Sequence, residues 1–359
     1  MAATPDMWIF DGHLDLSLNY HRYKRDIRLP LDALRRADDD ARSGRGTAMV
    51  SLPALREGGV GLAFATLLAI PCRDDRPPGE CEYSTADESR QIALRDLGYY
   101  RRLQVLDHLR IVADQASLDL HVSQWEAGSR ERRLGIVLLM EGADPIGSPA
   151  EVGEWYARGL RIIGPAWYGL NRYAHGTGAP DGLTAPGRGL LREMDRVGMI
   201  LDVTHLAEQA FFESLDLFAG AVLASHSNVR AIVPGDRQLS DEMIRMLVQR
   251  DGVIGCAMDA WMLVPGWKKG RSNADVKLAM VADHIDRVCQ LAGNARHAAI
   301  GSDLDGGFGR EQCPSDLDSV ADLPRLLDIL AGRGYGWDDI HAIAHGNWLR
   351  LLRRAWKDR

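Results

Sequence analysis

The sequence repeats one order along its whole length, in which a short apolar run is followed by a longer segment with helical periodicity. Several runs, such as residues 136–140, are continuously apolar, which is typical of strands covered on both faces in a parallel sheet. We predict eight strands, at residues 7–10, 61–69, 134–140, 160–165, 199–203, 221–224, 253–257 and 298–301.

The segments between these runs carry helix signals. Thr85 and Glu88 have the spacing of a capping box and predict a long helix through residue 106. Further helices are predicted at residues 187–197, 241–250, 323–330 and 341–356. Eight strands that alternate with helices indicate an α/β fold, a (β/α)8 TIM barrel, formed by residues 1–359 as a single domain. The alternative is a doubly wound open sheet, but no GxGxxG or P-loop follows any strand.

The charge and the cysteine content restrict the partners and the cellular compartment that can be expected. The 359 residues include 43 Lys and Arg against 50 Asp and Glu, a net charge of −7, so we expect neither nucleic acid nor a membrane as partner. No export signal or bilayer-length apolar run is visible, and the five cysteines are odd in number, which together predict a cytoplasmic protein. Cys72 and Cys81 flank one loop and could pair, although free thiols are favoured.

Polar residues with metal-ligating chemistry follow the predicted strands at their carboxyl ends. In a barrel these ends meet on one face, where active sites lie. The residues are His13, Asp15, Glu141, His205, His226 and Asp303.

This set has the composition of a metal site. His13 and Asp15 are two apart on an extended segment and share one side, as a half-site for a divalent ion requires. Glu141 ends an apolar run, where an unpaired carboxylate would be costly, so it needs a cation or hydrogen-bond donors. With His205 and His226 there are five ligands, which suit two ions bridged by a carboxylate and predict hydrolysis.

Asp303 is the candidate acid/base, because a free carboxylate beside the site can accept a proton and pass it to a leaving amine. Asp305 is the competing candidate, and either residue has a helix N-cap as its structural alternative. Other nucleophile chemistries have weaker support, since neither a Gly-x-Ser-x-Gly elbow nor a recognisable Cys–His motif is present.

At these positions the sequence resembles the membrane (renal) dipeptidase family of zinc peptidases, which are amidohydrolase-like barrels of the metal-dependent hydrolase type. The resemblance covers most of the chain and rests on motifs in a fixed order. They are Asp11-Gly12-His13-Leu14-Asp15, Glu141-Gly142, and residues 182–205, 225–231 and 301–306.

The resemblance implies two zinc ions per chain, bridged by Glu141 and a water or hydroxide. His13 and Asp15 would hold one ion, and His205 and His226 the other. By the same resemblance Asp303 is the catalytic acid/base, a homodimer is expected, and Arg237 binds the substrate's C-terminal carboxylate. Bidentate pairing is a physical reason for arginine at that position. Zinc, cobalt and manganese share this ligand set, so the residues do not select the metal.

One segment departs from the family. The family has a histidine shortly after the fourth strand, which is thought to bind the substrate carbonyl, whereas here Trp167 and Tyr168 stand near that position. Each offers one neutral donor and no cationic one. Both are candidate substrate-binding residues, and His175 could substitute if its loop folds back.

These observations favour a dipeptidase that cleaves the amide bond of a small dipeptide-like substrate with a free carboxylate. Two alternatives stay open. One is a metal-dependent hydrolase of a non-peptide amide, lactam or ester, and the other is a catalytically silent barrel of the same family.

Overall fold

The strands of the computed structural model, which describes residues 7–41, 45–73, 81–128 and 132–357, form one parallel sheet. Within these ranges there are nine strands: β1 (Ile9–Leu14), β2 (Val60–Leu68), β3 (Leu109–Ile111), β4 (Leu134–Glu141), β5 (Leu160–Gly164), β6 (Ile200–Asp202), β7 (Val222–Ala224), β8 (Val253–Cys256) and β9 (Ala298–Ile300). Their order is β1-β2-β4-β5-β6-β7-β8-β9, and β3 pairs with β4 outside this path.

Helices fill the connections between the strands. They are α1 (Leu16–His21), α2 (Leu31–Ala41), α3 (Leu52–Glu57), α4 (Ala86–Val105), α5 (Gln115–Glu126), α6 (Val152–Ala157), α7 (Ala185–Val197), α8 (Glu208–Leu217), α9 (Asp241–Gln249), α10 (Ala260–Leu263), α11 (Leu278–Ala292), α12 (Pro324–Gly332), α13 (Trp337–His341) and α14 (Asn347–Trp356). The predicted capping box is confirmed at the start of α4, where Thr85 and Glu88 bond each other's backbone N–H groups. None of the helices described is long and apolar enough to cross a bilayer.

The sheet curls into a nearly closed barrel. Between β9 and β1 the buried carboxylate of Asp11 accepts hydrogen bonds from the backbone N–H (2.8 Å) and the hydroxyl (2.5 Å) of Ser302. The Asp303 N–H also donates to the His13 carbonyl at 3.3 Å. The predicted (β/α)8 barrel is therefore confirmed, with all eight predicted strands present.

The floor of the barrel is apolar. One cluster of buried side chains combines residues of the strands with Trp348 of α14. The indole of Trp348 lies 5.0 Å from the ring of Phe64 and 6.3 Å from that of Phe10, and it donates to the Ile300 carbonyl at 3.0 Å. This packing supports the polar residues at the carboxyl ends of the strands.

The free-thiol prediction for Cys72 and Cys81 is wrong, because the two residues form a disulfide. The chain doubles back at this point, where Cys72 N–H donates to the Tyr83 carbonyl at 2.7 Å and the two Cα atoms come within 4.7 Å. The nine-residue separation of the two cysteines did not by itself predict that they lie so close together. Disulfides are typical of oxidising compartments, so the cysteine content no longer supports the prediction of a cytoplasmic protein.

Candidate metal centre and substrate cavity

The strand ends bring the predicted ligands together. His13 lies near the end of β1 with Asp15 just beyond it, and Glu141 is the last residue of β4. His205 and His226 follow β6 and β7. All five side chains are buried, at the face of the barrel where the carboxyl ends meet.

Glu141 lies between the histidines. Its Oε2 is 3.4 Å from the Nε2 of His13, while its Oε1 is 3.1 Å from the Nε2 of His205 and 3.6 Å from that of His226. The two carboxylate oxygens thus face different histidines. A carboxylate shared by two ions needs this arrangement.

The Nε2 atom of His13 has the surroundings expected of a metal-ligating nitrogen. It is buried and has no hydrogen-bond partner among the described residues. It lies 3.6 Å from the Oδ1 of Asp15 and 3.9 Å from that of Asp303. Ligand atoms within 4.8 Å of one another form two overlapping groups, which are His13, Glu141 and His226, and His13, Asp15 and Asp303. Imidazole nitrogens and carboxylate oxygens are ligands that suit zinc and related divalent ions.

The charges of the site act strongly on one another. Burial opposes the charged form of Glu141, but His13 and His205 hold the pKa of the carboxyl well below its usual range. Burial and the charge of Arg237 lower the pKa of His205 to about 3, and burial and the charge of His13 lower that of His226. At His205 and His226 these shifts favour the neutral imidazole, which is the form that binds metal. Burial lowers the pKa of His13, but the carboxylates of Glu141 and Asp15 raise it well above its usual range.

Sequence analysis missed the residues that orient the ligands. Asp11 accepts the His13 N–H at 3.2 Å, and Asp202 accepts the N–H groups of Thr204 (3.0 Å) and Ser225 (3.1 Å). Both carboxylates are buried, that of Asp11 within β1 and that of Asp202 at the end of β6, and each fixes backbone N–H groups beside a ligand candidate. Each stands two or three residues before a histidine ligand candidate, which is the signal that could have identified them.

The structure separates the two acid/base candidates. The carboxylate of Asp305 accepts N–H groups of Met49 and Val50 at 2.8–3.0 Å, so it ties a loop to the barrel. The side chain of Asp303 instead lines the cavity above the ligands and is 14% exposed. Burial raises the pKa of the Asp303 carboxyl well above its usual range, with His13 opposing the rise. The backbone does not distinguish the two residues, since it is left-handed at both, with φ of 58° at Asp303 and 62° at Asp305.

A cavity of about 480 Å³ opens above the ligands and contains the predicted substrate-binding residues. Arg237 is buried in its wall and donates to the carbonyl of His226 at 2.7 Å and to the hydroxyl of Ser227 at 3.2 Å. Within the described part of the chain, Arg237 forms no ion pair. A buried guanidinium that faces a cavity without a carboxylate partner is suited to an anionic ligand group.

Trp167 and Tyr168 also line the cavity. The ring centroid of Tyr168 lies 4.8 Å from that of His205, and the Trp167 centroid lies 6.2 Å from it. Burial raises the pKa of Tyr168 to about 12, with Arg237 opposing the rise, so the hydroxyl is a donor at neutral pH. The loop is held by Arg73, which follows the disulfide cysteine and donates to the carbonyls of Tyr168 and Leu170.

The structure does not bring His175 to the site. It is not among the residues that line the cavity, and its Nδ1 lies 3.7 Å from the exposed carboxylate of Asp181. Four other histidines bond to backbone groups, which is a packing role: His121, His284, His297 and His345.

A further cavity residue is Asp259, which the sequence did not single out. It is buried after β8 and accepts two hydrogen bonds from the Gln312 amide, both at 2.9 Å. Burial raises its pKa to about 7, with the Gln312 hydrogen bond opposing the rise. It adds an acidic group to a cavity wall that also contains Arg237.

Comparison with known proteins identifies the family of the chain. The sequence profile of the membrane dipeptidase family, peptidase family M19, matches residues 2–358. An uncharacterised protein of Klebsiella pneumoniae, encoded in the pqqA 5′ region, is 33% identical over 254 residues, 68% of this chain and 91% of that protein. Dipeptidase aclJ of Aspergillus oryzae is 29% identical over 309 residues, 84% of this chain and 69% of that protein.

Solved structures are similar over nearly the whole chain. A metallopeptidase from Rhodobacter sphaeroides, solved with a phosphinate mimic of the dipeptide L-Ala-D-Ala, superposes with a TM-score of 0.78 at 25% identity. The match covers 98% of this chain and 100% of that one. The chain therefore belongs to the membrane dipeptidase family, M19, and is a metal-dependent hydrolase.

Proposed function

We propose that this protein is a two-zinc dipeptidase that hydrolyses the amide bond of a small dipeptide-like substrate with a free C-terminal carboxylate. The observation that carries the proposal is the position of Glu141, whose two oxygens face His13 on one side and His205 and His226 on the other. The lowered pKa values of His205 and His226 support it, as does the Nε2 of His13, which has no hydrogen-bond partner among the described residues.

In this proposal His13 and Asp15 hold one ion, His205 and His226 hold the second, and Glu141 is shared. Two divalent ions bound there would lower the pKa of a water between them and polarise a carbonyl, the chemistry that such pairs supply. The protein's own part is to hold these ligands in place before the ions arrive. The buried carboxylates of Asp11 and Asp202 do so by fixing the backbone at the strand ends.

Asp303 moves the proton. Water adds to the amide carbon, Asp303 takes up the proton that the water loses, and the same proton goes to the nitrogen as the C–N bond breaks. The carboxylate is suited to this exchange because burial in the cavity raises its affinity for a proton. It lies beside the ligands and, among the described residues, accepts no backbone hydrogen bond comparable to those of Asp305.

Arg237 binds the carboxylate at the far end of the substrate. Its guanidinium is oriented by the His226 carbonyl and the Ser227 hydroxyl, so it is fixed before the substrate enters. Tyr168 lies against His205 and would donate its hydroxyl hydrogen to the substrate carbonyl, while Trp167 forms the adjoining wall. A neutral phenol would therefore act where the resemblance leads one to expect a histidine.

The test is a panel of L-Xaa-L-Xaa and L-Xaa-D-Xaa dipeptides, assayed with the zinc-loaded protein and followed by release of the free amino acids. We expect hydrolysis of at least one stereochemical series, and little hydrolysis of the same dipeptides as C-terminal amides. Failure to hydrolyse any dipeptide would contradict the proposal.

One observation favours a second candidate, a hydrolase of a non-peptide amide, lactam or ester. It is the aromatic pair Trp167 and Tyr168, which lines the cavity near the position where the resemblance leads one to expect a histidine. The same panel, extended to lactams and esters without a carboxylate, separates the two. Equal rates with and without the carboxylate would favour the second candidate.

A further inference from the structure

The hydroxyl of Ser225 contacts two of the proposed ligands at once. Its Oγ lies 3.2 Å from the Nδ1 of His13 and 2.9 Å from the Nδ1 of His226. The two imidazole rings are themselves packed together, with centroids 3.7 Å apart. In the proposed function these histidines bind different ions, so one buried hydroxyl lies behind both metal positions.

The orientation of the two rings decides which nitrogen of each histidine faces Ser225. Both Nε2 atoms point toward Glu141, at 3.4 Å for His13 and 3.6 Å for His226, so both Nδ1 atoms face Ser225. A neutral histidine that binds metal through Nε2 carries its proton on Nδ1, and the acceptor at Nδ1 fixes that tautomer. Ser225 is therefore placed to accept a hydrogen bond from both rings.

A serine hydroxyl can do this because it has two lone pairs and one hydrogen. The two imidazole N–H groups would use the lone pairs. The hydrogen has an acceptor nearby, since the Thr204 Oγ1 lies 3.4 Å away. Every donor and acceptor of the group is then satisfied.

The position of Ser225 is rigid. Its N–H donates to Asp202 at 3.1 Å, and its carbonyl approaches the backbones of β8 and of the residue after β9. A Cβ at Gly255 would come within 2.1 Å of that carbonyl oxygen, and one at Gly301 within 1.9 Å. Only glycine permits this approach, so the hydroxyl is held where both rings can reach it.

We propose that Ser225 is a positioning residue that sets the metal-binding tautomer of both His13 and His226 and thereby strengthens the binding of both ions. This inference rests on the two-ion site of the proposed function. Outer hydrogen-bond partners of metal-ligating histidines typically contribute 10- to 100-fold in metal affinity.

The test compares Ser225→Ala with the wild-type protein, using the metal-free protein and zinc in competition with a chromophoric chelator. We expect both zinc dissociation constants to rise by about 10- to 100-fold. The visible spectrum of the cobalt-substituted variant should differ from that of the cobalt-substituted wild type with one and with two equivalents of cobalt per chain, since both ligand sets lose an orienting contact. The matched control is Ser214→Ala, a buried serine in α8 whose hydroxyl has no hydrogen-bond partner among the described residues.

The outcomes separate the inference from the proposed function. Wild-type protein that binds two ions, together with Ser225→Ala affinities equal to those of the Ser214→Ala control, overturns the inference alone. A rise in only one dissociation constant overturns the claim that Ser225 serves both ions. Wild-type protein that binds fewer than two ions contradicts the proposed function and the inference with it. If Ser225→Ala does not fold, Ser225→Cys decides by the same criteria, because a thiol has nearly the same volume and is a weak hydrogen-bond partner.

Discussion

The Oδ1 of Asp303 lies 3.9 Å from the Nε2 of His13, which is too far for a hydrogen bond but places the carboxylate beside the atom that would bind a metal ion. Asp303 is the third residue after β9, in the turn that follows the strand, and its side chain lines the cavity above the ligands. The same turn directs Asp305 away, onto the backbone N–H groups of Met49 and Val50. Two carboxylates two residues apart therefore have different tasks.

Asp303→Asn should lower kcat for dipeptide hydrolysis by at least about 10²-fold, because an amide cannot accept the proton of the attacking water. Metal content should stay at the wild-type value, as measured by elemental analysis of the same preparation. Asp305→Ala is the contrasting variant, and it should lower the unfolding temperature through two orphaned buried N–H groups. If Asp303→Asn loses metal in proportion to activity, Asp303 is a ligand and its assigned role is wrong.

Arg237→Ala should raise KM for a dipeptide by about 10²-fold, since a buried charge pair with the substrate is lost. Arg237→Lys should recover only part of this loss, because a lysine cannot make the bidentate contact. The corresponding dipeptide amide, which lacks the carboxylate, serves as the control substrate. A loss of kcat/KM that is equal for acid and amide would show that Arg237 does not bind the carboxylate.

Tyr168→Phe should lower kcat by about 10²-fold with a much smaller change in KM, as expected when a donor to the developing oxyanion is removed. A phosphinate dipeptide mimic should bind more weakly to the variant, which calorimetry can measure without turnover. Tyr173→Phe is the matched control, because that hydroxyl lies in the same loop but donates to the Ile146 carbonyl at 2.5 Å. Equal effects of the two substitutions would indicate loop destabilisation in place of a donor role.

The sequence predicted the barrel and the ligand cluster because both depend on local patterns. Continuous apolar runs such as residues 136–140 identify strands, and a polar residue directly after each run marks the shared edge. Strand β3 was missed, since Leu109–Ile111 is only three residues long and contains a polar Arg110. The prediction for β1 ended at Phe10, whereas the strand continues to Leu14, because buried Asp11 and His13 look like loop residues in a sequence.

What the sequence could not show depends on contacts between distant segments. In the sequence Ser225 is an ordinary serine at the end of a strand. Only the fold shows that its hydroxyl contacts His13, which is 212 residues away. Asp303 and Asp305 cannot be distinguished in the sequence, because their roles differ only through the residues that surround them in the fold. The disulfide likewise depends on the chain turning back after Cys72, which the nine-residue separation from Cys81 permits but does not require.

Asp96 predicts a pH-dependent change in stability outside the site. Burial raises its pKa to about 7 against the partial compensation of Arg95, and its Oδ2 has no hydrogen-bond partner within the described ranges. When the pKa of a carboxyl is higher in the folded than in the unfolded protein, the free energy of unfolding falls as the pH rises from the unfolded pKa toward the folded one. Asp96→Asn should therefore be more stable than the wild type at pH 8, by roughly 2–4 kcal/mol, and nearly equal at pH 4.

Urea unfolding of both proteins at pH 4, 6 and 8 checks this expectation. Asp87→Asn, an exposed position in the first turn of the same helix, is the control and should show no comparable gain as the pH rises. A stability difference for Asp96→Asn that is constant across this pH range would contradict the assignment of a buried, titrating carboxyl.

The central claim is that two ions held through Glu141 make this chain a dipeptidase. The most direct measurement is the initial rate of dipeptide hydrolysis by chelator-stripped protein as zinc is added in known molar equivalents. The account predicts no activity without metal and a rate that rises until two equivalents per chain and then levels off. A rate that is independent of zinc, or that saturates at one equivalent, would contradict it.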